Sequence, residues 1–140
     1  MSAIRLFVYG TLMRGHRQDL SRYEPAPVYL GEGWVAGRLY DLGHCPALVL
    51  DHAAAPVWGE VWNVPRELFE QLNRYEVGCG DFQLRQASVF FEGALAQMAL
   101  YEIGARQRLP ATQLAGGRWL PSRPERPIDG VADNRVTHRV

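Results

Sequence analysis

Apolar and polar positions along the first half of the chain follow the period of strands. Ile4-Arg5-Leu6-Phe7-Val8-Tyr9 is rich in β-forming residues, partly alternating, and stops at Gly10, which predicts a buried strand ending in a loop. Residues 12–24 are polar and basic around Gly15, with room for a helical turn or two before Pro25 and Pro27. Strand signal resumes at Val28–Leu30, then at Gly33–Tyr40, Ala47–Leu50 and Val57–Trp62. Asp41-Leu42-Gly43-His44-Cys45-Pro46 has the Gly and Pro chemistry of a turn between two of these strands. Glycines inside the strands predict bends or close backbone approach.

From Pro65 the period changes. Leu68, Phe69, Leu72, Tyr75 and Glu76 fall at i, i+1, i+4, i+7 and i+8, one face of a helix. Pro65 is compatible with a first helical turn, and Gly78 and Gly80 supply stop signals. Ala87–Phe91 and Ala94–Tyr101 flank Glu92-Gly93, a tight hairpin turn, so two strands follow the helix. From Leu109 onward Pro and Gly recur, and Arg118–Val140 carries little periodicity. The pattern predicts one strand-dominated domain over residues 1–120 and an irregular or partly disordered tail over 121–140, with no internal repeat.

Composition narrows the function classes. The chain has 140 residues, 47% of them hydrophobic, enough for the core of one domain. Lys plus Arg and Asp plus Glu balance at 15 each, so no global field attracts nucleic acid or a membrane surface, and a small, locally recognised ligand suits the balance better. No run approaches the roughly 20 apolar residues of a membrane span, and the N-terminus leads into a strand, so a cytoplasmic protein is expected. Cys45 and Cys79 lie far apart without a secretory context, and two free thiols are expected. His16, His44, His52 and His138 lack the spacing of a ligand set, so no metal site is expected.

Two constellations can carry chemistry. Glu76 shares a helical face with Leu68, Phe69 and Leu72, where a solvated carboxylate is out of place. Partial burial and the negative end of the helix dipole would both raise its carboxyl pKa and favour proton transfer. If the helix frays before it, Glu76 is an ordinary surface acid; the periodicity leaves both readings open. In Tyr9-Gly10-Thr11-Leu12 a strand ends in a glycine loop whose N–H groups can converge on a carboxylate or an oxyanion, or simply form a turn. No Gly-Lys-Ser/Thr follows, so the loop is not a P-loop. Glu60, between Trp58 and Trp62, is a rival acid that faces either a pocket or solvent. Tyr40, Tyr75, Tyr101 and the tryptophans read as core or pocket lining, and none is assigned a catalytic role.

Taken together, Val8-Tyr9-Gly10-Thr11-Leu12, Gly37-Arg38-Leu39-Tyr40-Asp41, Val57-Trp58-Gly59-Glu60-Val61 and Leu72-Asn73-Arg74-Tyr75-Glu76 resemble the gamma-glutamylcyclotransferase-like (AIG2-like) family, in its motif order. Gly116-Gly117-Arg118-Trp119 resembles the family's late Gly-Asp-Trp segment, so the resemblance covers roughly residues 4–120. It implies an α+β fold, a small closed mixed β-barrel with flanking helices, in which Tyr9, Gly10, Thr11 and Leu12 bind substrate and Glu76 is the catalytic acid/base. The implied activity converts a gamma-glutamyl group to 5-oxoproline with release of an amine or amino acid and requires no cofactor. The alternative on the same barrel is a non-catalytic binder of gamma-glutamyl-type small molecules. Departures from the family pattern bear on substrate identity: Asn73 replaces a frequent Asp, Gln83-Leu84-Arg85 stands where Tyr-x-Arg is common, and His44-Cys45-Pro46 replaces a Tyr-Pro ending.

Overall fold

The structure, a computed structural model, describes residues 3–75, 82–104, 109–110 and 113–120. Its strands are β1 (Ala3–Val8), β2 (Val28–Asp41), β3 (Pro46–Leu50), β4 (Pro56–Pro65), β5 (Phe82–Phe91) and β6 (Ala94–Ile103), with a helix α1 (Arg66–Tyr75) after β4. The strand order is β3-β2-β4-β1-β6-β5, and a further antiparallel pairing of β2 with β5, Gly33 to Phe91 and Trp34 to Phe90, closes β2, β4, β1, β6 and β5 into a five-stranded barrel. β1 runs parallel to β6 and antiparallel to β4, which makes the barrel mixed. The architecture is the expected small closed mixed barrel with a flanking helix. Two expected strands, Val28–Leu30 and Gly33–Tyr40, are one long β2, which bulges between Tyr29 and Gly31 where it pairs with β4.

Alternation fills the barrel. Phe7, Val35, Leu39, Val57, Val61, Val89, Phe91, Met98 and Leu100 are buried in one cluster inside it. The neighbouring positions Leu6, Val8, Trp62, Val64 and Ala99 form a second cluster outside it with Leu68, Phe69 and Leu72 of α1. The helical spacing of those three residues is therefore the face that α1 lays on the barrel wall. β1 contributes to both clusters: Leu6, Phe7 and Val8 are at most 3% exposed. Such a run, buried on both faces, explains why β1 reads as nearly continuous hydrophobic sequence.

Loops follow the local chemistry. Between β5 and β6, Glu92 (φ 53°) and Gly93 (φ 85°) both adopt left-handed geometry, as a two-residue hairpin turn requires. Residues 12–24 form successive turns with one short 3-10 segment, Leu20–Arg22, in place of an α-helical turn. Trp119 is buried within the barrel cluster, so the Gly116–Trp119 segment belongs to the packed domain. Glu76, Gly78, Gly80 and the tail 121–140 lie outside the described residues. Among the described residues no helix is long and apolar enough to cross a membrane.

Gly59 marks the tightest strand contact. A Cβ there would stand 2.2 Å from the Val8 carbonyl oxygen and 2.8 Å from the Phe7 ring. Gly59→Ala is expected to destabilise the fold by about 3 kcal/mol, at the upper end of overpacking costs. Denaturant unfolding measures this.

Candidate functional site

The candidate site lies where β1 ends. A cavity there is lined by Tyr9, Gly10, Thr11 and Leu12 together with residues from three other segments, among them Pro46, Phe82 and Tyr101. Its volume is about 50 Å³, against roughly 300–1,000 Å³ for typical ligand pockets. Such a space encloses a carboxylate or a carbonyl and leaves the rest of a larger ligand outside.

The loop is held open by its own hydrogen bonds. The carbonyls of Gly10, Thr11 and Leu12 accept from the N–H groups of Met13 (3.0 Å), Gln18 (2.8 Å) and Leu20 (3.0 Å). The N–H groups of Gly10, Thr11 and Leu12 donate to no turn carbonyl and to no side chain among the described residues. This polarity, carbonyls engaged and amides open, is what anion or oxyanion binding by a backbone loop requires. The Thr11 hydroxyl donates to Gln18 Oε1 at 2.8 Å. Buried Asp19 accepts from Gly15 N (2.8 Å), Ser21 N (2.8 Å) and Ser21 Oγ (2.7 Å), which clamps the far side of the loop.

Two outside contacts fix the loop's position. The Pro46 ring comes so close to Gly10 that a Cβ would lie 2.7 Å from it, so Gly10 is required by close approach. Arg17 Nη2 donates to the His44 carbonyl at 2.7 Å, tying the loop to the turn between β2 and β3. The segment His44-Cys45-Pro46, which departs from the family pattern, therefore borders the cavity.

Tyr9 points into the barrel and donates its hydroxyl to the Tyr101 carbonyl at 2.5 Å. Burial pushes its phenol well above the usual tyrosine range, so it remains a neutral donor. Tyr9 thus pins the end of β1 to β6. Tyr101 lines the cavity and donates to Asn73 Oδ1 on α1. Burial raises its phenol also. Sequence reasoning read Tyr101 as core or pocket lining without a catalytic role, and the structure places it at the cavity.

Glu60 is not at this cavity. It lines a second one, of about 180 Å³, with Arg14, Glu32, Trp58 and Arg118. Its carboxylate accepts from Arg14 N (3.0 Å), Arg14 Nε (3.3 Å) and Trp62 Nε1 (3.1 Å), and Glu32 accepts from Arg118 at 2.9 Å. With three donors on it, Glu60 is suited to hold Arg14 and the loop rather than to accept a proton. Glu76, the expected acid/base, lies outside the described residues; the sequence carries it immediately after Tyr75, the last residue of α1. Among the described residues no group of three His, Cys, Asp or Glu side chains gathers where a metal ion could be held.

One expectation is overturned. Cys45, at the cavity, is disulfide-bonded and not a free thiol. The chain contains one other cysteine, Cys79, which lies outside the described residues. Separation in sequence and the absence of a secretory context argued against a bridge, but a disulfide requires only Cα atoms within about 7 Å, which tertiary packing decides.

The strand-end loop sits on a five-stranded mixed barrel, and comparison with known proteins gives the chain's family. The family model "Gamma-glutamyl cyclotransferase, AIG2-like" matches residues 6–121, and the chain belongs to that family. A Pyrococcus horikoshii protein named "Putative gamma-glutamylcyclotransferase PH0828" is 33% identical over 106 residues, 76% of this chain and 84% of that protein. Its crystal structure superposes with TM-score 0.64 at 28% identity, covering 82% of this chain and 88% of that one. An AIG2-like protein of Mus musculus matches in fold with TM-score 0.63 at 23% identity, covering 90% of this chain and 100% of that one. YkqA from Bacillus subtilis matches in fold with TM-score 0.66 at 18% identity, covering 84% of this chain, which spans 39% of YkqA.

Two measurements follow. Tyr9 and Tyr101 keep their protons at a pH where free tyrosines lose them. With native phenols raised above the unfolded value of 10.0, the native state holds more protons above that pH, and stability that is complete below it falls as pH rises. Spectrophotometric titration is expected to leave the Tyr9 and Tyr101 phenols protonated until the chain unfolds, so folded Tyr9→Phe gives the same tyrosinate signal as folded wild type and one fewer tyrosinate on unfolding. Thiol titration of the denatured, unreduced chain is expected to find no reactive cysteine, and both after reduction.

Proposed function

We propose that the protein is a gamma-glutamylcyclotransferase that cyclises a gamma-glutamyl group to 5-oxoproline and releases an amine or amino acid. The observation that carries this reading is the polarity of the Gly10–Leu12 loop beside the cavity it lines: its carbonyls accept within the turn while its N–H groups have no backbone partner among the described residues. Family membership and the 33% identical relative support the same reading.

In this reaction the substrate's α-amine attacks its own γ-carbonyl carbon, forming the ring C–N bond. The bond from that carbon to the leaving nitrogen breaks as the tetrahedral oxyanion collapses. The attacking nitrogen begins as an ammonium at neutral pH. In becoming the lactam N–H that nitrogen gives up two protons, and the leaving nitrogen takes up two in becoming an ammonium; with Glu76 relaying them in turn, the reaction is proton-neutral and needs no external oxidant, metal or cofactor. Positioned proton transfer of this kind contributes roughly 10²–10⁴-fold in rate. Each open N–H directed at the oxyanion contributes about 3–4 kcal/mol. Holding the glutamyl chain with nitrogen against carbonyl adds an orientation effect. The small cavity accepts the reacting carbonyl or the α-carboxylate and leaves the departing group outside, which is consistent with more than one gamma-glutamyl amine or amino acid as substrate. The balanced charge of the chain agrees with a small-molecule partner.

Incubation with gamma-glutamyl amino acids, gamma-glutamyl amines and glutathione, followed by mass spectrometry of 5-oxoproline, tests the proposal. Wild type is expected to form product from at least one compound. Glu76→Gln is expected to lose at least about 100-fold in kcat, within the range of a lost acid/base group, while keeping the wild-type melting transition. Saturable binding without product would instead favour a non-catalytic binder.

A further inference from the structure

A phenol carries one proton and two lone pairs. The Tyr101 hydroxyl uses its proton in a short hydrogen bond to Asn73 Oδ1, on the last turn of α1. Burial keeps that phenol protonated across the neutral range. Tyr101 also lines the cavity formed by the Gly10–Leu12 loop. The chemical consequence is directional: with its proton turned to Asn73, the Tyr101 oxygen offers the cavity an acceptor only. The Gly10–Leu12 loop lines the same cavity, its carbonyls accepting within the turn and its N–H groups without a backbone partner among the described residues. The cavity thus brings backbone donors and a neutral acceptor together in otherwise apolar surroundings that include Val8, Leu12 and Phe82.

We propose that Tyr101 Oη is the acceptor that recognises the α-ammonium of the gamma-glutamyl substrate, and that Asn73 is the positioning residue that holds the phenol's proton away from the substrate. The inference rests on the proposed cyclotransferase activity and adds to it a source of selectivity for ligands with a free α-amine. An ammonium has three N–H groups; one reaches Tyr101 and the others remain for proton transfer. A neutral acceptor is the suitable partner here, since a second carboxylate beside the amine would hold the ammonium protonated and oppose its attack. Asn73, an amide where relatives often carry a carboxylate, fits the same requirement.

The test compares a gamma-glutamyl amide with its des-amino analogue, the corresponding glutaryl amide, which cannot cyclise and acts as a competitive inhibitor. KM for the first and Ki for the second are measured in wild type, Tyr101→Phe, Asn73→Ala and Asn73→Asp. Tyr101→Phe keeps the backbone carbonyl that Tyr9 uses, and is expected to raise KM roughly 10- to 100-fold, the range for a hydrogen bond to a charged group, with Ki within about twofold of wild type. Asn73→Ala, at an exposed helix position, is expected to raise KM several-fold by freeing the phenol's proton. Asn73→Asp restores an acceptor and is expected to recover KM while shifting the acid limb of kcat/KM upward in pH. Equal rises of KM and Ki in Tyr101→Phe, or an unchanged KM, would overturn the proposal; so would an Asn73→Ala variant indistinguishable from wild type. A wild type that forms no 5-oxoproline from any gamma-glutamyl compound would instead overturn the cyclotransferase reading, and this inference with it.

Discussion

The double burial of β1 is the constraint on which the rest depends. Leu6 and Val8 anchor α1 to the outside of the barrel while Phe7 fills its inside, and the strand is paired on both edges, antiparallel to β4 and parallel to β6. With no free edge and no free face, β1 leaves its C-terminal end no latitude. Tyr9 completes the restraint by donating to the Tyr101 carbonyl on β6. The loop that follows starts from a fixed point in space, and open amides on such a loop are preorganised, which makes them effective donors to developing charge.

The loop's own geometry follows from a few buried polar contacts. Asp19 gathers three donors, Thr11 and Gln18 bond to each other, and Pro46 stands against Gly10. The second, larger cavity has the reverse character: its carboxylates and guanidinium groups neutralise one another, Glu60 with Arg14 and Glu32 with Arg118. The two cavities differ in the state of their hydrogen-bonding groups as well as in size.

Much of this was legible in the sequence because it depends on period and local turn chemistry. The strands, the Leu68, Phe69 and Leu72 face of α1 and the Glu92-Gly93 turn were visible as alternation, helical spacing and a two-residue turn signal. The continuity of β2 through Gly31 was not, because a bulge and a break carry the same glycine. Barrel closure through Gly33 and Phe91 was not visible in the pattern either; it entered through family resemblance. Tyr101 read only as core or pocket lining and Cys45 as a free thiol, because the long-range pairings that decide their surroundings leave no trace in spacing. The resemblance pointed to Tyr9–Leu12 as the binding loop, and the hydrogen-bond pattern of the loop is compatible with that proposal.

The central claim is that the open amides of Gly10, Thr11 and Leu12 receive the ligand. Following the backbone amide resonances during titration with 5-oxoproline tests it most directly. The account predicts saturable shifts at those three amides, with little change at Arg14, Trp58 and Arg118 around the second cavity. Shifts confined to the second cavity, with Gly10–Leu12 unmoved at saturation, would contradict it.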